Sequence, residues 1–123
     1  LKKAIILVAH GSQNPEWVNP FRLFRKRLEK RYPHLLICLS FLEFSTPNLA
    51  QVVFSCIDQS ILDFEIWPLF MASGTHVQKD IPAIIDGLHV KHPSISWLIR
   101  PPLLEDEDVC QVLETVTDKK YLL

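Results

Sequence analysis

Ile5-Ile6-Leu7-Val8-Ala9-His10-Gly11-Ser12 is an apolar run that stops at a histidine and two small residues. Pro68-Leu69-Phe70-Met71-Ala72-Ser73-Gly74-Thr75-His76 repeats the design. Each reads as a buried strand that delivers an imidazole to its carboxyl end. Further apolar runs at about 35–42 and 95–100 give, with 4–9 and 64–70, four strands whose starts lie roughly thirty residues apart, the length of a βαβ unit. Between them the periodicity is helical. Trp17, Phe21, Phe24 and Leu28 recur at steps of four, three and four, behind Asn14 as cap and Pro15 in the first turn. Leu49, Val52, Val53, Cys56 and Ile57 share a face of a second helix, opened by Ser45 or Thr46 before Pro47. Ile81, Ile84, Ile85 and Leu88 mark a third behind an Asp80 cap, and Val109, Val112, Leu113 and Val116 a fourth. Nearly continuous apolar strands need cover on both faces, so the expected fold is α/β: a single doubly wound domain over residues 1–123 with a four-stranded parallel sheet flanked by helices.

The chain has 123 residues, 48% of them hydrophobic, and a formal net charge of -1. A domain of that size buries about two-thirds of its unfolded surface, enough to fold without a disulfide or structural metal. Its basic residues are scattered, which argues against nucleic acid as a partner. Cys38, Cys56 and Cys110 show no CxxC spacing and read as small hydrophobes in a reducing compartment. The run at 4–9 is too short for a membrane helix or a signal-peptide core. A soluble, cytoplasmic protein with no membrane partner is expected. Glu105, Asp106, Glu107 and Asp108 open the last helix, where negative charge complements the dipole and faces water.

In open parallel sheets the ligand crevice lies beyond the carboxyl ends of the strands, where strand order reverses. His10 arrives there after the first strand, Glu43 at the end of the second and His76 in the loop after the third. Their meeting requires the first strand to lie between the other two or beside both. Two imidazoles and a carboxylate make a ligand set for Co, Ni, Zn or Fe(II) with positions left open for exchange. Without metal the same groups accept protons near neutral pH. Gly11 and Ser12, and likewise Ser73, Gly74 and Thr75, allow a ligand to approach the backbone closely. Glu43 read by itself is equally a carboxylate facing water. His34, His89 and His92 are assigned to the surface.

These residues resemble the small, single-domain class II chelatases of the sirohydrochlorin chelatase group. The resemblance rests on Val8-Ala9-His10-Gly11-Ser12, Pro15, Phe41-Leu42-Glu43, Pro47, Pro68-Leu69-Phe70, Gly74-Thr75-His76-Val77, Asp80-Ile81-Pro82 and Pro102-Leu103, in order along nearly the whole chain. It implies insertion of a divalent metal, Co2+, Fe2+ or Ni2+, into sirohydrochlorin, an octacarboxylate tetrapyrrole, on the route to cobalamin or sirohaem. It also implies that His10 and His76 act at the metal with Glu43, and that two copies pair as a homodimer. The apolar faces of the first and last helices are candidates for that contact.

Few cations accompany these motifs: Lys79 and Arg100 alone stand on or near the same edge. Arg100 is therefore a candidate substrate contact, and backbone N–H groups after Gly11-Ser12 and around Asp80 are candidate carboxylate binders. The chain has no GxxxxGK[ST] segment, so no nucleotide is expected. Two rival readings use the same residues. One is a phosphohydrolase or phosphomutase with His10 as nucleophile, which lacks the usual surrounding arginines. The other is a metal or tetrapyrrole carrier without turnover.

Overall fold

A computed structural model of the chain describes residues 3–122; the side chains of residues 75–78 lie outside that description. The elements run β1 (Lys3–Ala9), α1 (Pro15–Arg31), β2 (Leu36–Phe41), α2 (Leu49–Asp58), β3 (Asp63–Pro68), α3 (Thr75–Lys91), β4 (Ser96–Ile99), a 3-10 turn (Leu103–Glu105) and α4 (Glu107–Tyr121). All strand pairings are parallel and the order is β2-β1-β3-β4. The expected α/β architecture is thus present. Because β1 lies between β2 and β3, the three chain crossings that carry the singled-out residues leave from adjacent strands.

Alternation along the strands divides the apolar residues between two cores. Ala4, Ile6, Val8, Phe64 and Ile66 pack with Val52, Val53 and Cys56 of α2 and with Ile81, Ile85 and Leu88 of α3. On the other face Leu7, Ala9, Ile37, Leu39 and Phe41 pack with Val18 of α1. Ser40, a fully buried hydroxyl at the centre of the sheet, donates to the Leu7 carbonyl at 3.3 Å.

Several boundaries differ from expectation, each for a local reason. The stripe of α1 that meets the sheet is Val18, Phe21 and Leu28, while Trp17 is 70% exposed and Phe24 also faces outward. Valine carries less apolar area than tryptophan, so the periodicity read from the largest residues came out rotated by one position. At α2 the cap is Asn48, not Ser45 or Thr46: its side chain accepts from the Gln51 N–H while the Gln51 side chain accepts from the Asn48 N–H, a reciprocal capping box. Helix α3 begins at Thr75 behind Gly74, so Asp80 is an interior residue and not the cap, and Pro82 is carried inside the helix. His76 accordingly stands in the first turn of α3, not in a loop. His92 is half-buried, edge-on to Phe54 at 5.8 Å, rather than free on the surface. Finally, α4 buries none of its residues, against the expectation that Val109, Val112, Leu113 and Val116 would cover the sheet.

Candidate functional site

Hydrogen bonding between β1 and the chain leaving β2 continues beyond the strands. The Leu42 N–H donates to the Ala9 carbonyl at 3.0 Å and the Glu43 N–H to the His10 carbonyl at 2.9 Å. That extra rung places the two side chains together: His10 Nε2 and Glu43 Oε2 are 3.9 Å apart, with side chains 60% and 57% exposed. Gly11 then turns the chain at φ +97°, and its α-carbon lies so close to the Glu43 carbonyl that an added Cβ would sit 1.8 Å from the oxygen. Ser45 closes the stitch. Its hydroxyl accepts from the Ser12 N–H at 3.1 Å and donates to the Ser12 carbonyl at 2.9 Å.

Phe70, two residues past β3, meets the His10 ring edge-on with centroids 6.1 Å apart. Phe44, between Glu43 and Ser45, has φ 63° and is exposed, an unusual conformation for a bulky residue. The contributions of Ser45, Phe70 and Phe44 were missed from sequence. Sequence offers Ser45 as a helix opener, and only the Ser45-Thr46 pair after Glu43 hints at a stitched loop. Glu105 was read as a solvated helix start; its carboxylate instead accepts from the Ser73 N–H at 2.9 Å and the Ser73 hydroxyl at 2.6 Å, tying the segment before α4 to the loop before α3.

His76 lies in the first turn of α3 by its backbone; its side chain and that of Thr75 lie outside the described residues. Among the described residues no third His, Cys, Asp or Glu joins His10 and Glu43 as a ligand cluster. Four of the amides from Ser12 to Trp17 are already occupied. The Ser12, Asn14 and Glu16 N–H groups donate to Ser45, Ser12 and Asn14 side chains, and the Trp17 N–H to the Asn14 carbonyl. Helix α3 differs, since Gly74 supplies no side-chain cap. With Asp80 inside the helix, the N–H groups of α3 that have no intrahelical acceptor belong to the turn that contains His76.

Arg100 follows β4 and is half-exposed. Its Nη2 lies 3.4 Å from Glu65 Oε1 and its guanidinium 5.7 Å from the centre of the Trp67 ring. The Trp67 N–H donates to the other oxygen of Glu65 at 2.6 Å, so a carboxylate that is only 7% exposed is satisfied from both sides. Arg100 also borders a recess of about 300 Å3 with Pro68, Ser73, Ile81 and Pro102. A smaller recess, about 170 Å3, opens beside His10 between Ser12, Trp17, Phe21 and Phe41.

A larger concavity, about 520 Å3, lies elsewhere, between α1 and α2 along the β2 edge. Its polar groups are already committed. Arg25 donates to Glu29 at 2.6 Å and to the Ile37 carbonyl at 3.4 Å. Burial, followed by the adjacent Cys56, pushes the Cys38 thiol up to about 12. Cys38 is therefore expected to resist iodoacetamide in the native protein from pH 7 to 9, where its thiolate is scarce, and to react at the ordinary thiol rate once denatured. Mass spectrometry of alkylated peptides checks this. Since the folded thiol holds its proton more tightly than the unfolded one, its contribution to stability is complete below pH 9 and is lost as pH rises from there toward 12.

Comparison with known proteins adds sequence relatives and a solved structure to this geometry. A family model described as CbiX matches residues 4–119. A sirohydrochlorin cobaltochelatase of Saccharolobus islandicus is 30% identical over 95% of this chain and 94% of its own length. Two longer proteins of Priestia megaterium also match. One is a sirohydrochlorin cobaltochelatase, 28% identical over 92% of this chain and 37% of its own length. The other is a sirohydrochlorin ferrochelatase, 29% identical over 94% and 46%; the chain thus spans less than half of either. The crystal structure of a CbiX protein of cobalamin biosynthesis from Marinobacter aquaeolei VT8 superposes with a TM-score of 0.82 at 25% identity, covering 96% of both chains.

Proposed function

The chain belongs to the CbiX family, and from that premise we propose that it is a sirohydrochlorin chelatase, inserting Co2+, Fe2+ or Ni2+ into the tetrapyrrole without a nucleotide. The observation that carries the reading is the 3.9 Å between His10 Nε2 and Glu43 Oε2. It is too long for a hydrogen bond, and a closure of roughly 0.5 Å by two exposed side chains brings the donors to the ~3.4 Å that a tetrahedral ion with bonds of about 2.1 Å requires. Both side chains are open to solvent, as exchange of a substrate metal requires.

His10 and Glu43 hold the ion above the macrocycle, and His76, in the neighbouring first turn of α3, completes the set. Two pyrrole N–H bonds break as two N–metal bonds form, and two protons leave. Imidazole and carboxylate accept those protons, and Glu43 offsets the charge of the ion as its water is stripped. Gly11, Ser12, Gly74 and Thr75 line the approach, the last two beside the uncapped amides of α3, which suit ring carboxylates. The recess beside His10, about 170 Å3, is smaller than the ~300–1,000 Å3 of an enclosing ligand pocket. A homodimer that brings two rims together supplies the missing walls. No described helix is long and apolar enough to cross a membrane, and all three cysteines are free, which fits a reducing cytoplasm.

The direct test mixes sirohydrochlorin with Co2+, Fe2+ or Ni2+, with and without substoichiometric protein, and follows the visible absorption of the macrocycle. Multiple turnovers support a chelatase. Stoichiometric binding without acceleration makes the protein a carrier. Arg100, oriented by Glu65 and Trp67, is assigned to a ring carboxylate. Arg100→Ala is expected to raise the KM for the tetrapyrrole several-fold with kcat retained, and to lower stability by about 1 kcal/mol through the loss of the Glu65 partner. A lower Tm with unchanged KM would make its role purely structural.

A further inference from the structure

Among the described residues other than glycine, Phe44 and Ser60 take a positive φ, and helix geometry explains only the second. Ser60, at φ 65°, follows the cap of α2. Its N–H donates to the Ile57 carbonyl at 2.8 Å and the Ile61 N–H to the Cys56 carbonyl at 3.0 Å, the paired bonds of a helix end that turns left-handed. Phe44, at φ 63°, ends no helix. The Ser45 N–H donates across it to the Glu43 carbonyl at 2.7 Å, so Phe44 is the centre of a γ-turn with positive φ, the rare and strained hand of that turn.

Burial does not hold Phe44 there. The residue is 65% exposed, so it combines a costly backbone with an apolar ring left in water. Bonds on either side hold it instead: the Glu43 N–H is tied to the His10 carbonyl, and the Ser45 hydroxyl to the Ser12 N–H and carbonyl. The loop thus spends strain to keep a ring in solvent one residue from Glu43. A second exposed ring accompanies it. Trp17 borders the recess beside His10, and its backbone is fixed by the Asn14 cap of α1.

We infer that Phe44 and Trp17 seat the tetrapyrrole, stacking on its conjugated surface so that the ring nitrogens are held at the ion. The inference rests on the chelatase reading above and names what orients the macrocycle within it. A metal ion and ring carboxylates gain nothing from apolar rings, whereas a conjugated macrocycle does. Aromatic side chains supply that contact at low entropic cost, because only two χ angles are ordered. The strained turn fixes the Phe44 backbone before substrate arrives, which lowers the cost of binding further.

The probe is metal-free sirohydrochlorin, titrated against the protein by its visible absorption with no metal present. Phe44→Asn keeps a residue that tolerates positive φ but removes the ring. It and Trp17→Ala are each expected to raise Kd about ten-fold, the scale of one stacked ring, and to raise KM alike with kcat retained. The loss should persist in high salt, which screens carboxylate contacts but not stacking. Phe44→Asn should melt no lower than the parent and bind Co2+ alone as the parent does, and Phe44→Tyr should restore the parent Kd. An unchanged Kd in either ring-deleting variant overturns the inference, as does a Tm in Phe44→Asn lower by more than about 3 °C, which would give Phe44 to the fold. If the parent turns over while Phe44→Asn matches its KM, the seating fails and the chelatase reading stands; a parent that does not bind the tetrapyrrole overturns both.

Discussion

His10→Ala is expected to lower the rate of metal insertion by about two to four orders of magnitude, the range over which loss of a positioned acid or base acts. The loss should fall on kcat. Removing the imidazole leaves Glu43 as the one described side chain at the ion, and a lone carboxylate neither fixes the ion's position nor accepts both pyrrole protons. Stability should barely move, because the His10 side chain is 60% exposed and its main packing partner is the edge-on Phe70 ring, a contact worth about 1 kcal/mol. Activity and Tm therefore separate at this position. Initial rates with Co2+ and sirohydrochlorin, taken beside a thermal melt, give both numbers. Full turnover in His10→Ala at normal Tm would remove the imidazole from the mechanism. Glu43→Gln refines the result: it keeps the shape and an oxygen ligand but removes the charge, so a smaller loss than in His10→Ala would assign Glu43 to charge compensation more than to proton transfer.

The choice of metal is not written in the proposed ligands. Imidazole and carboxylate accept cobalt, iron and nickel alike, and the intrinsic affinity order does not pick the physiological ion. Proteins named cobaltochelatase and ferrochelatase match the chain at similar identity, 28–30%. Selectivity then lies in what surrounds the ion and in metal supply.

Sequence made the sheet legible because its strands are almost unbroken apolar runs, and their regular spacing left room for one helix in each gap. The meeting of His10 and Glu43 was legible for the same reason: once β1 lies in the middle, adjacent carboxyl ends must share a rim. What hydrophobicity cannot show is phase and attachment. The α1 stripe passes through Val18, not the larger Trp17, because Trp17 stands next to the rim recess beside His10. The start of α3 was placed at Asp80 because Asp-x-Pro imitates a cap with proline in the first turn. Helix α3 starts earlier, at Thr75, behind a glycine without a capping side chain. The apolar stripe of α4 was read correctly as a stripe, yet periodicity says only that a helix has something to bury, not in which molecule the surface lies. Nor could spacing reveal that the Ser12 amide is consumed internally, since the group that consumes it, the Ser45 hydroxyl, arrives from another crossover.

Gly11→Ala is the substitution expected to damage the fold most for its size. Two effects add there. A methyl group at φ +97° places an L residue in a region that costs about 1–3 kcal/mol, and the Cβ would lie 1.8 Å from the Glu43 carbonyl oxygen. No rotamer relieves that contact, since Cβ is fixed by the backbone, so the two crossovers must part. The Glu43–His10 rung and the Ser45–Ser12 pair lengthen with them, each worth about 0.5–1.5 kcal/mol. A total near 3–4 kcal/mol corresponds to a Tm lower by roughly 10–15 °C for a domain of this size. Insertion should collapse as well, because the same rung sets the His10–Glu43 separation. Gly87→Ala supplies the contrast: a Cβ there meets nothing within 4 Å and the residue lies inside α3, so lower backbone entropy in the unfolded chain should stabilise by about 0.5–1 kcal/mol. Differential scanning calorimetry of the two variants decides the matter. If Gly11→Ala melts within 2–3 °C of the parent, a shift equivalent to less than about 1 kcal/mol, the close approach of the two loops is not what holds the rim that bears His10 and Glu43 in shape.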